Sequence, residues 1–185
     1  MLVLASGSPR RRELLRLIAP EFEAISLDLD EGAIHADTPA ALVEKLAAAK
    51  AEAAAALRPG DLVLGCDTVV DLDGAVLGKP KDAADAAAML RALSGRAHLV
   101  HTGVCAISGD KRRSLVETTK VYFDRIGEEE LAWYLSTDEP WDKAGGYAVQ
   151  GLAARFIPRI EGCYHNVMGL PVAALYRMLS AFGQK

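Results

Sequence analysis

The sequence predicts an α/β fold, a mixed, twisted sheet with flanking helices, and three observations predict it. Short apolar runs of strand length, residues 2–5 and 62–66, are separated by alanine- and leucine-rich segments with helical spacing. Helix and strand signals interleave along all 185 residues with no internal repeat and no long linker, so one domain is expected. Two long strand-like runs, residues 98–107 and 114–123, meet at Ser108-Gly109-Asp110-Lys111, a turn short enough to require antiparallel pairing.

The elements follow in order. Leu2-Val3-Leu4-Ala5 reads as a buried strand, Ser6-Gly7-Ser8 as a tight turn, and Pro9 suits the first helical position. Arg10, Arg11 and Arg12 then fall at a helix N-terminus, where they repel one another and the positive end of the helix dipole. A structural design would place Asp or Glu there. Free backbone N–H groups surrounded by guanidiniums make an anion trap; the alternative is a basic surface patch balanced by Glu13. Residues 41–57 form a helix with an apolar stripe of Leu42, Leu46, Ala49, Ala53 and Leu57. Thr38 caps it, Pro39 starts it, and Arg58-Pro59-Gly60 stops it.

Leu62-Val63-Leu64-Gly65-Cys66 reads as a buried strand ending at Asp67. Val69-Val70-Asp71-Leu72 and Ala75-Val76-Leu77 flank the hairpin signal Asp73-Gly74. Residues 82–93 form a second alanine-rich helix, closed by Ser94-Gly95. In the second long strand Leu115, Glu117, Thr119, Val121 and Phe123 alternate with Val116, Thr118, Lys120 and Tyr122. Neither set is wholly apolar, so the 117–119 end is expected to look into a wet cleft. A helix over 128–135, a Gly-rich segment over 143–147, a short strand near 155–160 and a final helix over 171–179 complete the chain.

Bulk properties narrow the function. Hydrophobic residues make up 51% of the chain, enough for a packed core. Net charge is −4 and no long basic tract exists beyond the three arginines, which argues against a nucleic-acid polymer as partner and leaves small anions, for which a local positive site suffices. Cys66, Cys105 and Cys163 are odd in number and far apart, unlike a disulfide framework or zinc cluster. Met1 runs into the first strand without a leader or membrane-length stretch, so a cytoplasmic, reduced protein with no membrane partner is expected. His35, His98, His101 and His165 have no compact metal spacing, and neither GxGxxG nor Walker A is present.

The remaining polar residues suggest chemistry. Asp67 closes an apolar strand, the place where α/β sheets present side chains to a ligand crevice; the alternative is a strand-end turn capped by Asp67 and Thr68. Asp30-Glu31 is a second acidic pair, and Glu31 approaching Asp67 would supply hard oxygen ligands for Mg²⁺; by itself the pair reads equally as a solvated loop. Lys50, Lys79 and Lys81 could offset phosphate charge or be solvated. In Lys143-Ala144-Gly145-Gly146-Tyr147-Ala148-Val149-Gln150-Gly151, paired glycines permit close backbone approach, Tyr147 can stack or pack, and Gln150 offers a donor and an acceptor to a base edge. Ser6 and Ser8 lack a nucleophile elbow. Attack of a metal-activated water on a phosphoanhydride therefore fits better than covalent catalysis.

Ordered blocks from Leu4 to Leu179 resemble the Maf family of septum formation inhibitor-like proteins. They are Leu4-Ala5-Ser6-Gly7-Ser8-Pro9-Arg10-Arg11, Asp30-Glu31, Ala49-Lys50-Ala51, Gly65-Cys66-Asp67-Thr68-Val69-Val70, Gly78-Lys79-Pro80, Leu93-Ser94-Gly95, His101-Thr102-Gly103-Val104 and the 143–151 segment. The resemblance implies a mixed α/β protein with an active-site cleft between two lobes, often a homodimer. It also implies a divalent metal cofactor, Mg or Mn, and hydrolysis of a nucleoside triphosphate to monophosphate and diphosphate. Asp67 matches the family's catalytic aspartate and shares the metal with Glu31. Ser8, Arg11, Arg12, Lys50 and Lys79 match its phosphate-binding positions. Arg10, Thr68 and Gln150 fall where substrate subclasses separate, and their identities resemble the branch acting on dTTP and UTP. Two stretches depart from the family pattern, Asp37 after Ala36 and the run Gly146-Tyr147-Ala148-Val149. The alternatives are a pyrophosphatase for another or modified nucleotide, and a non-enzymatic nucleotide-binding regulator of cell division.

Overall fold

The computed structural model describes residues 1–183. Within them seven strands form one mixed sheet: β1 (Leu2–Ala5), β2 (Glu23–Ile25), β3 (Leu62–Leu72), β4 (Ala75–Leu77), β5 (Ala97–Ser108), β6 (Lys111–Tyr122) and β7 (Arg159–Glu161). Their order is β2-β1-β3-β5-β6-β7, with β4 on the free edge of β3. β1 runs parallel to β2 and β3, and the other pairings are antiparallel. Helices α1 (Pro9–Arg16), α2 (Pro39–Leu57), α3 (Ala83–Leu93), α4 (Glu128–Leu135), α5 (Tyr164–Met168) and α6 (Val172–Ser180) flank it. The expected α/β class and the long central hairpin are both present.

Alternation along β3 divides the core. Leu62, Leu64 and Cys66 pack with Leu14 and Leu15 of α1 and Leu175 of α6. Further along the same face, Val70 and Leu72 join Leu90, Leu131, Phe123 and Tyr134 beneath α3 and α4. On the opposite face Val63 and Cys105 pack with Ala47, Ala51 and Ala54 of α2. β3 is thus buried on both sides for most of its length, as its unbroken apolar character requires.

Four expectations are corrected. β3 does not end at Asp67 but continues unbroken to Leu72, because every residue from Val63 to Asp71 has a partner on β5. Of the expected stripe Leu42, Leu46, Ala49, Ala53 and Leu57 only Leu46 is buried; α2 instead buries the small-residue face around Val43, Ala47, Ala51 and Ala54, and Leu57 is 66% exposed. Glycines at 65 and 103 let that alanine face lie directly on the sheet. Near residue 155 the chain forms a 3-10 turn, Leu152–Phe156, and only Arg159–Glu161 is strand. Glu139 stabilises the turn by accepting hydrogen bonds from the amides of Leu152 and Ala153 at 2.5 and 3.0 Å. Finally, Thr119 does not face a wet cleft: it is fully buried and hydrogen-bonded to Cys163 and Asn166.

Candidate active site

β1 and β4 share one edge of β3 without meeting. β1 ends opposite Gly65 and β4 ends opposite Val70, so Asp67, Thr68 and Val69 border a gap in the sheet. The chain leaving β1 enters the Ser6-Gly7-Ser8 turn at the level of that gap. A cleft of about 870 Å³ opens there, a size ordinary for a small-molecule site. Ser8, Arg10, Arg11, Glu31, Lys50, Asp67, Thr68, Lys79 and Gln150 all line it. Arg12, Lys81 and Asp30, also selected from the sequence, are not part of this lining; the Nε of Arg12 is buried without a hydrogen-bond partner among the described residues.

The alternation of β3 sends Asp67 toward α2 and Thr68 to the opposite face. On the α2 side, Lys50 Nζ donates to Asp67 Oδ1 at 2.7 Å and lies 2.9 Å from Glu31 Oε1. Asp67 and Glu31 therefore do approach one another, joined by one ammonium. Lys50 and Asp67 are largely shielded, with side chains 13% and 12% exposed, so their attraction is only weakly screened. On the other side Arg11 crosses to β3. Its Nε donates to the Gly169 carbonyl at 2.9 Å, and its two terminal nitrogens donate to Ser6 Oγ at 3.2 Å and Thr68 Oγ1 at 3.0 Å. Thr68 Oγ1 also lies 2.9 Å from Thr102 Oγ1, which donates to the Asn166 carbonyl at 3.2 Å.

The turn itself is pre-formed. Ser6 Oγ accepts the amide of Ser8, and Ser8 Oγ caps α1 by accepting the amide of Arg11. Among the described residues the amides of Gly7 and Arg10 have no hydrogen-bond partner. They are the donors an anion would meet at the head of α1. Arg10 reaches a different wall, donating to Asp142 Oδ2 at 2.9 Å.

Tyr147 packs rather than stacks on a ligand. It is 5% exposed, edge-on to His98 and Phe123, and its hydroxyl shares a 2.6 Å hydrogen bond with His98 Nε2. Burial pushes the His98 imidazole down to about 4 and the Cys66 thiol, beneath Asp67, up to about 11. Cys66 is thus no nucleophile. Sequence reasoning missed Thr102, Asn166 and Asp142, polar residues inside otherwise ordinary strand, helix and loop patterns.

A second hollow, lined by Ile18, Pro20, Phe22, Tyr176 and Leu179, lies beside the start of β1. Its charged lining is Arg16, Glu21 and Glu23, and Glu23 is bound to Arg58. The lining residue Met1 pairs its terminal ammonium with Asp61, so the ion pairs at this hollow already hold one another.

Fold and cleft together define an α/β protein that sets an arginine-bearing turn opposite a shielded carboxylate. The chain belongs to the Maf-like protein family, whose model matches residues 1–182. A dTTP/UTP pyrophosphatase of Symbiobacterium thermophilum is 50% identical over 98% of this chain and 94% of its own length. That of Vibrio cholerae is 47% identical over 98% and 97%. Among solved structures, the Ham1 protein of Staphylococcus aureus covers 98% of both chains with a TM-score of 0.57 at 16% identity. A HAM1 protein of Coxiella burnetii covers 97% of this chain and 98% of its own with a TM-score of 0.55 at 15% identity. These two likenesses concern the fold.

Proposed function

We propose that this protein hydrolyses nucleoside triphosphates to the monophosphate and diphosphate, with dTTP and UTP as substrates. The observation that carries the proposal is the Asp67–Lys50–Glu31 cluster facing the arginine-bearing turn across one cleft. The names of the relatives, at about half identity over nearly full length, support the substrate pair.

In this reading the triphosphate lies between the two walls. The amides of Gly7 and Arg10, with Ser8, Arg11 and Lys79, hold its phosphate oxygens. Asp67 takes a proton from a water whose oxygen attacks the α-phosphorus. The bond from that phosphorus to the α–β bridging oxygen breaks, and diphosphate leaves with the bond's electron pair. Lys50, 2.7 Å from Asp67, orients the carboxylate before attack and is close enough to turn to phosphate afterwards. Thr68 and Gln150 face the base: thymine and uracil present a carbonyl–NH–carbonyl edge, which an amide complements.

A divalent cation fits the same residues. Mg²⁺ uses one or two carboxylates and completes its shell with substrate phosphate and water. Here two carboxylates already converge on a single positive charge, the Lys50 ammonium, which stands where a cation would be neutralised. Asp67 and Glu31 would hold it. When bound, it supplies charge neutralisation on the phosphates and acidifies water.

Among the described residues no helix is long and apolar enough to cross a membrane. The deciding experiment is a panel of canonical and modified nucleotides incubated with Mg²⁺ or Mn²⁺ and read as diphosphate release. Release from dTTP and UTP is expected. Tight nucleotide binding without product would instead identify a non-enzymatic regulator, and preference for another nucleotide would move the substrate assignment. Homodimerisation, expected from the family resemblance, is checked by light scattering.

A further inference from the structure

The Arg10–Asp142 contact joins residues 132 positions apart, and among the described residues it is the one hydrogen bond between the head of α1 and the segment that carries Gln150. Asp142 ends a 3-10 turn, Pro140–Asp142. Its Oδ2 accepts Arg10, its Oδ1 accepts Lys143 Nζ, and Lys143 Nζ also donates to the Glu139 carbonyl at 2.9 Å. Arg10, Asp142, Lys143 and Gln150 all line the cleft.

Two features argue that this arrangement serves recognition rather than stability. The Asp142 side chain is 61% exposed, and an ion pair so open to water contributes little to folding. Arg10 and Arg11 are also treated differently by the fold. Arg11 is bound by Ser6, Thr68 and the Gly169 carbonyl on the β3 side, whereas Arg10 is drawn to the opposite wall. Two adjacent guanidiniums that would otherwise both seek phosphate are thereby assigned to different ends of the cleft. Desolvation opposes ionisation of the Asp142 carboxyl, but Lys143 and Arg10 outweigh it and hold the group below its usual range.

From this we infer that Asp142 is a positioning residue for base selection: it fastens Arg10 to the wall bearing Gln150, so that both side chains confront the base as one preset unit. Arg10 keeps further N–H donors free for a pyrimidine carbonyl while one terminal nitrogen is held by Asp142. The inference rests on the nucleotide reading above and deepens it by naming the residue that keeps a specificity side chain from joining the phosphate site.

The test measures binding as well as turnover. Dissociation constants for α,β-imido analogues of dTTP, UTP and dATP, which cannot be cleaved at the scissile position, are compared for the wild type, Asp142→Asn and Asp142→Glu. Asp142→Asn is expected to lower the preference for the pyrimidines about tenfold, the weight of one oriented hydrogen bond. In kcat/KM the change should fall mainly on KM. Asp142→Glu, which keeps the charge, should restore much of the preference. An unchanged preference with only a lowered melting temperature would reduce Asp142 to a structural role and overturn the inference. Equal tightening for all three analogues would also overturn it, making the contact a latch across the mouth. Selective binding with no diphosphate release from any nucleotide would defeat the hydrolase reading while leaving the role of Asp142 intact.

Discussion

Gly65 of β3 lies directly beneath Ala47 and Ala51 of α2: a Cβ at position 65 would fall 2.5 Å from the Ala51 amide nitrogen and closer still to the Ala47 carbonyl oxygen. Gly103, on the adjacent strand, meets Val43 in the same way. α2 therefore rests on the sheet backbone to backbone, and Lys50 reaches Asp67, two residues beyond Gly65, from a helix that cannot rise. The contact atoms are main chain, so no rotamer change can relieve an added methyl. Gly65→Ala should destabilise the protein by about 1–3 kcal/mol, in the range of core overpacking. It should also lower turnover by lifting Lys50 away from Asp67. Urea unfolding and diphosphate release measure the two effects, and a variant as stable and active as the wild type would show that α2 tolerates displacement.

Asp67→Asn leaves shape intact but removes the proposed proton acceptor and one of the two charges on Lys50. Turnover should fall by about 10²–10⁴, the usual weight of a general base, while circular dichroism stays native. The companion change Lys50→Met removes the ammonium that occupies the space between Glu31 and Asp67. Mn²⁺ affinity without nucleotide should then rise, because the two carboxylates no longer have an internal counter-ion. Calorimetric titration reads this directly. Unaltered Mn²⁺ affinity would mean that the carboxylates do not form the cation site.

Most of this architecture was legible in the sequence, for identifiable reasons. Pro9 after Ser8, Pro39 after Thr38 and Gly74 after Asp73 are local signals whose physics needs no tertiary context, and the elements begin or turn there. The assembly of Glu31, Lys50, Asp67, Arg10 and Arg11 in one cleft was expected from the family resemblance, whereas Arg12, expected there too, lies outside the lining. What stayed hidden depends on long-range contact. The buried face of α2 is chosen by two glycines on other elements, which an isolated helical pattern cannot reveal. The continuation of β3 through Asp67 and Thr68 depends on β5 supplying a partner to each residue. β2 and α5, three and five residues long, are too short to produce periodicity. Tyr147 was open between stacking and packing because its partner, His98, is 49 residues away.

His98 makes stability depend on pH in a defined direction. Its folded-state value of about 4 lies below the ordinary histidine value of 6.5 because burial disfavours the charged ring. At pH above 6.5 the ring is neutral in both states and its contribution is complete. As pH falls from 6.5 toward 4 the unfolded chain binds a proton that the folded chain refuses, and stability drains away by up to about 3 kcal/mol. Chemical unfolding of the wild type and His98→Asn should therefore converge on acidification, the variant lacking this component of the slope. A constant difference between the two from pH 7.5 to 4.5 would show that His98 charges without penalty.

Gln150 stands exposed at the cleft wall opposite the turn, with no hydrogen-bond partner among the described residues, so its amide is available to a base. Gln150→Glu replaces an N–H donor by a second acceptor and adds a negative charge. Against the two carbonyls of thymine or uracil this exchanges attraction for repulsion. A base carrying positive charge would find the new carboxylate favourable. The expected outcome is a fall of about tenfold or more in kcat/KM for dTTP and UTP, with 7-methyl-GTP gaining relative to them. Because Gln150 makes no hydrogen bond to Asp67 or the arginine turn among the described residues, the rate at saturating substrate should change less than the base preference. If dTTP, UTP and 7-methyl-GTP were all slowed by the same factor, Gln150 would be acting on the phosphate chain, and the base would have to be read by Arg10 and Thr68 alone.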